Sequence, residues 1–317
     1  ISYHCLPVLR SLLSSTDPDT LESAAATIAY LAESDEYRKE VIYTIPILDL
    51  TPLLQNTHVQ VYREASRAIS NILSSCETHN SFTSNGLSAL LCLCQDIDKE
   101  CQYNASLACR KIVVSKISHP QIMGQISGLM TLANCEQMET RNLALTVLRD
   151  LSANACNRRT LLEKSAAHVL IPLLDHRDLS TKTLATATLR HLSSDHELQR
   201  MIMTGDIIIK AASSILGASD NLLSQLAGLL ANLSEEDDNR CDMVQMGVVP
   251  ALTVLSRAHS AKILVVRIIK RVFSCHLYLY FNISIPGLSF RLFRMFRGHL
   301  RISLQMLKNS LIFINRE

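Results

Sequence analysis

A period close to forty residues runs through this chain. With Leu233 as the reference, equivalent apolar residues recur at intervals of 41, 40, 39, 41, 41 and 39 residues. These seven anchors are Leu31, Ile72, Ile112, Leu151, Leu192, Leu233 and Val272. The strings around them are alike (ISNILSS, LRHLSSD and LANLSEE), and no strand-like alternation separates them. A near-constant period of this length predicts a helical solenoid, in which each unit buries its apolar face against its neighbours.

The unit between residues 220 and 255 shows how one repeat is built. Six leucines between Leu222 and Leu233 recur at steps of three and four residues, which predicts a long amphipathic helix. Ser234 and the four acidic residues after it predict the start of a short second helix, because hydroxyls and negative charges stabilise helix N-termini. Gly247 then predicts a turn, and Pro250 the first turn of a third helix. In a similar way, Ser194 and Glu197 predict a capping box.

These strings resemble armadillo repeats. The resemblance is carried by GVVPALTVL from Gly247, LLANLS from Leu229 and AISNIL from Ala68, and it covers about seven repeats over residues 1–273. It implies an all-α fold, a right-handed superhelical solenoid of about seven armadillo repeats. Residues 274–317 fall outside the repeat phase and are predicted to form a separate segment.

The cysteines indicate a reducing environment. Ten are scattered without a repeated spacing, so we expect free thiols and an intracellular protein, cytoplasmic or nuclear. The cluster Cys92, Cys94, Cys101 and Cys109 raises the alternative of a zinc site. Cys92 and Cys94 lie two residues apart on a predicted helix, which points them to different sides, so buried thiols are the preferred interpretation. No metal or cofactor is predicted.

Catalytic motifs are missing from the sequence. It contains no HExxH, GxSxG, Walker or GxGxxG pattern. The paired acids Glu235 and Glu236 fit a helix start better than a general acid and base. We therefore predict that the protein is not an enzyme. No secretory signal peptide is recognisable, and no apolar run reaches the length of a membrane span.

The C-terminal segment, residues 274–317, differs in composition from the repeats. It carries six basic residues and one acidic residue, a net charge of +5, against −3 for the rest, and seven of the fifteen Phe and Tyr residues. Phe290, Phe293 and Phe296 alternate with arginines at three-residue steps. Three interpretations remain open: a basic amphipathic helix on an anionic membrane, a cap on the last repeat, or a segment that is not native coding sequence.

Polar side chains follow the side of the long helices opposite the leucines. Repeat six places Asn221, Gln225, Gly228 and Asn232 there, and repeat two places Gln60, Glu64, Arg67 and Asn71 in the same phase. Stacked long helices line the concave face where such solenoids bind. These stripes therefore predict a binding groove, and the alternative is a face that is merely solvated.

The armadillo resemblance implies a role for one position on this face. In armadillo proteins an asparagine there holds the backbone of an extended peptide, because its amide offers both a donor and an acceptor. Carried along the array, this asparagine position is occupied by Tyr30, Asn71, Lys111, Asp150, His191, Asn232 and Arg271. Only Asn71 and Asn232 match. The predicted groove residues are Gln60, Glu64, Arg67, Asn71, Lys111, His191, Gln225, Asn232, Arg267 and Arg271.

The predicted function is that of a non-catalytic scaffold or adaptor that binds an extended segment of a partner protein in the groove. The resemblance is to vacuolar-membrane and catenin-like adaptors. Basic positions such as Arg67 and Lys111 favour an acidic or mixed acidic-apolar segment, and no nucleic acid is predicted as a partner. The alternatives are a nuclear import adaptor of the importin-alpha type, which the missing tryptophans disfavour, and the armadillo part of a larger ubiquitin ligase. Sequence alone also predicts that Asn232→Ala leaves stability nearly unchanged.

Overall fold

The computed structural model describes residues 5–75, 78, 84–94, 96–113, 119–124, 126–215, 217–246, 248–255, 268 and 271. Within these ranges the chain is helical and contains no strand. This confirms the predicted all-α solenoid class. By packing, the chain divides into two units, residues 1–170 (unit 1) and 171–317 (unit 2).

Long helices carry the repeat. Six of them contain the anchors: α2 (Pro18–Glu33), α5 (Val59–Ile72), α7 (Lys99–Val113), α10 (Met138–Ala153), α13 (Leu179–Leu192) and α16 (Asp220–Leu233). Shorter helices precede or separate them: α1 (Cys5–Leu12), α3 (Asp35–Thr44), α4 (Ile47–Leu50), α6 (Ser84–Leu93), α8 (His119–Gly124), α9 (Ile126–Leu132), α11 (Ala155–Glu163), α12 (Ala166–Leu170), α14 (Gln199–Ile202), α15 (Gly205–Ser213), α17 (Asp237–Gln245) and α18 (Val248–Leu255). Single 3-10 turns occupy Thr51–Gln55, Pro172–Asp175 and His196–Leu198.

The anchors form the core of each unit. Six of the seven are buried in the last turn or two of the long helices, with at most 6% of their surface exposed. In unit 1, α2 packs against α5, α5 against α7, and α7 against α10; in unit 2, α13 packs against α16. Within each unit, a repeat period of forty residues thus brings successive long helices into contact. The seventh anchor, Val272, lies outside the described residues.

Aspartates fix where two of the long helices begin. Asp178 precedes α13 and accepts hydrogen bonds from the backbone N–H of Thr181 at 2.8 Å and from its hydroxyl at 2.7 Å. Asp17 and Thr20 make the same pair of bonds at the start of α2. A carboxylate at this position satisfies donors that the first helical turn leaves without partners and stabilises the positive end of the helix dipole.

Side chains from the following short helix close the ends of three long helices. Arg38, Arg158 and Arg240 each donate from Nε to the carbonyl oxygen six residues earlier, at distances of 2.7, 3.0 and 2.6 Å. Helices end with carbonyl groups that lack intrahelical donors, and cationic side chains stabilise that end. Each arginine therefore fixes the turn between one long helix and the next repeat.

Two predicted N-terminal caps are wrong. Ser234 and Ser194 do not cap the short helices that follow them; their hydroxyls donate to the carbonyls of Ala231 and Arg190, in the last turns of α16 and α13. The residues that precede the short helical segments are Glu236 and Asp195. A serine hydroxyl close to a helix C-terminus satisfies a free carbonyl instead, which the sequence pattern does not distinguish from an N-cap.

Ser165 adopts a backbone conformation that suits glycine. It precedes α12 with φ of +66°, a left-handed conformation, and its side chain is exposed. It directly precedes α12, as Gly247 directly precedes α18 in repeat six. A Cβ atom costs about 1–2 kcal/mol in the left-handed region.

Replacement of Ser165 by glycine is expected to stabilise unit 1 by about 1 kcal/mol, because the steric cost of the Cβ atom outweighs the extra freedom of glycine in the unfolded chain. Urea denaturation of Ser165→Gly measures the change. Ser165→Ala is the control, since it removes the hydroxyl and keeps the Cβ atom. An equal gain from both variants would contradict the explanation.

The predicted C-terminal segment (274–317), the repeat boundary at residue 273, the turn at Gly247 and the groove residue Arg267 all lie outside the described residues. Among the helices of the described ranges, none has the length and apolar composition needed to cross a membrane.

Candidate partner-binding site

An open cavity of about 480 Å³ lies on unit 1 along the polar side of three successive long helices. Its walls come from α5, α7 and α10. It is lined by Arg63, Glu64, Arg67, Lys99, Glu100, Tyr103, Asn104, Gln137 and Glu139. The predicted groove residues Glu64 and Arg67 lie in this cavity, together with Asn104, which is the equivalent of Glu64 in repeat three. Glu100 and Glu139, which also line it, are the equivalents of Gln60 in repeats three and four. Polar side chains of three successive repeats therefore form one continuous surface within unit 1.

Internal ion pairs neutralise the arginines of this cavity. Arg67 donates from Nε to Glu64 on the same helix at 2.9 Å, and Arg63 donates from Nη2 to Asp98 at 2.6 Å. The guanidinium of Arg63 lowers the pKa of Asp98 against the opposing effect of burial, which is the largest single influence on that carboxyl. With three basic and three acidic residues in its lining, the cavity is a mixed-charge surface rather than a basic one.

The asparagine position makes a hydrogen bond between neighbouring repeats in unit 1. Asn71 donates from Nδ2 to the carbonyl of Ala29 at 2.9 Å, and Lys111 donates from Nζ to the carbonyl of Ser70 at 2.5 Å. In both cases the acceptor immediately precedes the asparagine position of the preceding repeat. These side chains therefore join the long helices to one another.

Unit 2 repeats the arrangement. Asn232 donates from Nδ2 to the carbonyl of Arg190 at 3.0 Å and lies 3.1 Å from the hydroxyl of Ser193. Arg271 donates to the carbonyl of Ala231 at 3.0 Å and pairs with Glu235 at 3.1 Å. These contacts replace the expectation that Asn232→Ala leaves stability unchanged with an expected loss of about 1 kcal/mol, the net contribution of a hydrogen bond.

The remaining predicted groove residues are placed as follows. Gln60 is exposed in the first turn of α5, and His191 is half-buried in the last turn of α13. Gln225, on α16, accepts a hydrogen bond from Nη1 of Arg190 at 3.0 Å. Arg190 is absent from the predicted site because it lies one residue before the asparagine position and belongs to the neighbouring helix. Its long side chain nevertheless reaches the polar face of α16. The repeat position of its Cα atom does not predict this.

Lys111 has a perturbed ionisation. Burial, assisted by the charges of Arg38 and Arg110, lowers the pKa of Lys111 from 10.5 to about 8. Between these values the unfolded chain binds more protons than the folded chain, so the contribution of this lysine makes stability rise with pH across that window.

We expect the free energy of unfolding of the wild-type protein, relative to Lys111→Met, to increase as the pH is raised from about 8 to about 10.5. Methionine keeps an aliphatic side chain of similar length without the charge. Urea denaturation of both proteins at several pH values across the window measures the difference. A difference that does not change with pH would contradict the lowered pKa.

The cysteine cluster of repeat three divides between surface and core. Cys92 is exposed, whereas Cys94, Cys101 and Cys109 are buried. A hydrogen bond with Cys94, together with burial, raises the pKa of the Cys109 thiol, and burial raises that of Cys101. These thiols are therefore neutral and pack as small apolar side chains. In the described part of the chain, no three His, Cys, Asp or Glu side chains come together as a metal site would require.

Each unit is thus an array of stacked helical repeats. A family model for the armadillo/beta-catenin-like repeat matches residues 1–33. A second model, described as kinesin-associated protein (KAP), matches residues 95–276, more than half of the chain. The chain belongs to this kinesin-associated protein family. It is an armadillo-type repeat scaffold that binds other proteins.

Solved structures share the fold. An engineered protein superposes with a TM-score of 0.76 at 23% identity, covering 85% of this chain and 68% of its own. A structure concerned with a phosphorylation switch in the interaction between cadherin and beta-catenin gives 0.76 at 14% identity, covering 87% of this chain and 55% of its own. A designed armadillo repeat protein gives 0.50 at 18% identity, covering 84% and 99%. At these identities the likeness concerns the fold alone. A comparison with curated protein sequences found no match.

Proposed function

We propose that this protein is a non-catalytic adaptor that holds an extended segment of a partner protein along the polar face of its long helices. The observation that carries the proposal is the cavity on unit 1, where side chains of three successive repeats line one open surface. Neighbouring packed helices lie about 8–10 Å apart, and an extended peptide advances about 3.3 Å per residue. Each repeat would therefore contact about three partner residues.

The charges of the cavity favour a segment with both acidic and basic or polar residues. Arg63 and Arg67 are already paired with carboxylates, so neither supplies a free positive charge to an acidic ligand. Glu100 and Glu139 are largely exposed at its edge and offer acceptors to basic side chains or backbone N–H groups. For unit 1 we therefore propose a partner segment of mixed charge in place of the acidic or mixed acidic-apolar segment predicted from the sequence.

The experiment is a charge reversal in the cavity. Arg67→Glu removes the pair with Glu64 and places two carboxylates together, so we expect at least a tenfold loss of affinity for a partner segment identified by crosslinking. Lys39→Glu is the control, because it makes the same change in charge at an exposed position of α3. Isothermal titration calorimetry measures both. Equal affinity of Arg67→Glu and wild type would reject the cavity as the binding site.

The name of the matched family supplies a second candidate, a kinesin as the partner protein. Co-purification with kinesin subunits, followed by the same pair of variants, tests it. A nuclear import role is less well supported, because the position that carries tryptophans in the import adaptors holds the paired Arg67 in repeat two and Gly228 in repeat six. The ubiquitin-ligase alternative concerns sequence outside this chain.

A further inference from the structure

One arginine on the polar face of unit 2 has no carboxylate partner within the described residues. Arg190 is half-buried, and the hydrogen bond that it makes with its side chain goes from Nη1 to the neutral oxygen of Gln225, at 3.0 Å. A guanidinium carries five N–H donors, so most of its hydrogen-bonding capacity is unused there. Partial burial of a cation without an anion is unfavourable, and a carboxylate is its strongest partner.

Glycine at position 228 creates the space for this guanidinium. A Cβ atom built at Gly228 would lie 2.5 Å from Nε and 2.7 Å from Cδ of Arg190. Both distances are shorter than any side chain tolerates, so the arginine crosses α16 directly over the glycine. The side chain of Arg190, which originates on α13, is therefore held on the surface of the next long helix by Gln225 and by the absence of a side chain at Gly228.

The same location in unit 1 is occupied by a neutralised arginine. Gly228 and Gln225 correspond in repeat phase to Arg67 and Glu64 of α5. In unit 1 the guanidinium comes from the same helix and pairs with a carboxylate. In unit 2 the guanidinium comes from the preceding helix, and an amide stands where the carboxylate would be. The exchange of glutamate for glutamine converts a neutral pair into a positively charged site.

We propose that Arg190, held over Gly228 by Gln225, is the anchor of unit 2 for a carboxylate side chain of the partner segment. The inference rests on the proposed function and specifies its chemistry: the bound segment places an aspartate or glutamate opposite repeat six. A bidentate pair between this carboxylate and the open donors of the guanidinium fixes the register of the segment along α16. In the cavity of unit 1 the arginines are already paired with carboxylates, so unit 1 does not require an acidic residue of the segment.

The probe is a random twelve-residue peptide library displayed on phage and selected on the full chain. Peptides recovered from the selection are synthesised, and their affinities are measured by fluorescence anisotropy. We expect them to carry an acidic residue whose replacement by the corresponding amide weakens binding at least tenfold. Gln225→Glu should weaken binding to a similar extent, because its carboxylate pairs with Arg190 in the manner of Glu64 and Arg67.

A double-mutant cycle makes the assignment specific. The amide form of the peptide should bind wild type and Gln225→Glu with affinities within twofold, because the interaction is already lost. Gly228→Ala should also weaken the acidic peptide, since its methyl group displaces the guanidinium, while the melting temperature is unchanged or raised because alanine favours the helix. Arg177→Gln is the control, as it removes an exposed positive charge of unit 2 elsewhere, and it should bind the peptide as wild type does.

Two outcomes separate this inference from the proposed function. Leu184→Trp obstructs the position on α13 that corresponds to Gln225 on α16. Peptides that lose binding to Leu184→Trp but bind Gln225→Glu within twofold of wild type retain the groove and overturn the role of Arg190. Peptides that both variants bind as wild type does overturn the groove itself, and the inference with it.

Discussion

Replacement of Leu230 by aspartate is expected to unfold unit 2. Leu230 is fully buried in α16, the long helix that packs against α13. The substitution leaves a cavity, which costs about 2–5 kcal/mol, and buries a carboxylate without a partner, which costs about 3–5 kcal/mol. Because a domain has only about 5–15 kcal/mol of stability, the sum is enough to abolish the fold of the unit.

Circular dichroism and hydrogen exchange together measure this loss. Hydrogen exchange mapped by mass spectrometry should show the peptides of α13, α16 and α17 unprotected in Leu230→Asp. Asn221→Asp is the matched control, because it places the same carboxylate at an exposed position in the first turn of α16, where the helix dipole favours it. A variant Leu230→Asp that melts within a few degrees of wild type would mean that α16 is not part of the core.

The period of the anchors was sufficient to predict the fold from sequence. Leu151, Leu192 and Leu233 are fully buried because a repeat that cannot enclose its own leucines must stack. Two of the predicted groove residues, Glu64 and Arg67, line the cavity on unit 1, as their phase required, and its role in binding stays a prediction. Helical periodicity fixes the direction of Cα–Cβ bonds, and direction is what both predictions required.

The reach of long side chains was not predictable in this way. The side chains of Arg190 and Lys111 end on neighbouring long helices, so their charged groups lie away from the helices that carry them. Pairing also escaped prediction: Arg67 reads as a free positive charge in the sequence and is neutralised by Glu64 in the structure. The repeat position of a residue specifies where its Cα atom lies, whereas the location of its charge depends on every further bond of the side chain.

The start of helix α10 lacks the aspartate cap found at α2 and α13. At the N-termini of α2 and α13, an aspartate is followed three residues later by a threonine that it binds. At α10 the threonine is retained as Thr140, but Gln137 replaces the aspartate and makes no capping hydrogen bond. The oxygen atoms Gln137 Oε1 and Thr140 Oγ1 are both buried and lack hydrogen-bond partners within the described residues. Helix α10 therefore begins with a defect that its neighbours do not have.

Replacement of Gln137 by aspartate is expected to stabilise unit 1 by about 1–2 kcal/mol, the magnitude of a restored N-cap. The shorter carboxylate can accept from both the backbone N–H and the hydroxyl of Thr140, as Asp178 does from Thr181. The hydrogen bond from the Thr20 hydroxyl lowers the pKa of Asp17. We expect the hydroxyl of Thr140 to lower the pKa of the new carboxylate in the Gln137→Asp variant in the same way. The gain should then be present at neutral pH and disappear as the pH falls through the lowered pKa.

Reciprocal variants make this prediction specific to the cap. Asp178→Gln copies the α10 arrangement onto α13 and should destabilise unit 2 by about 1–2 kcal/mol, so that the two substitutions have opposite signs. Thr140→Val separates the hydroxyl from the backbone contribution: in the Gln137→Asp background it should remove part of the gain, whereas in the wild-type background it removes an unpaired polar group and should cost little. Urea denaturation of the wild type and of these four variants measures each change in the free energy of unfolding. If Gln137→Asp were neutral while Asp178→Gln were destabilising, the start of α10 would be held by contacts other than its cap.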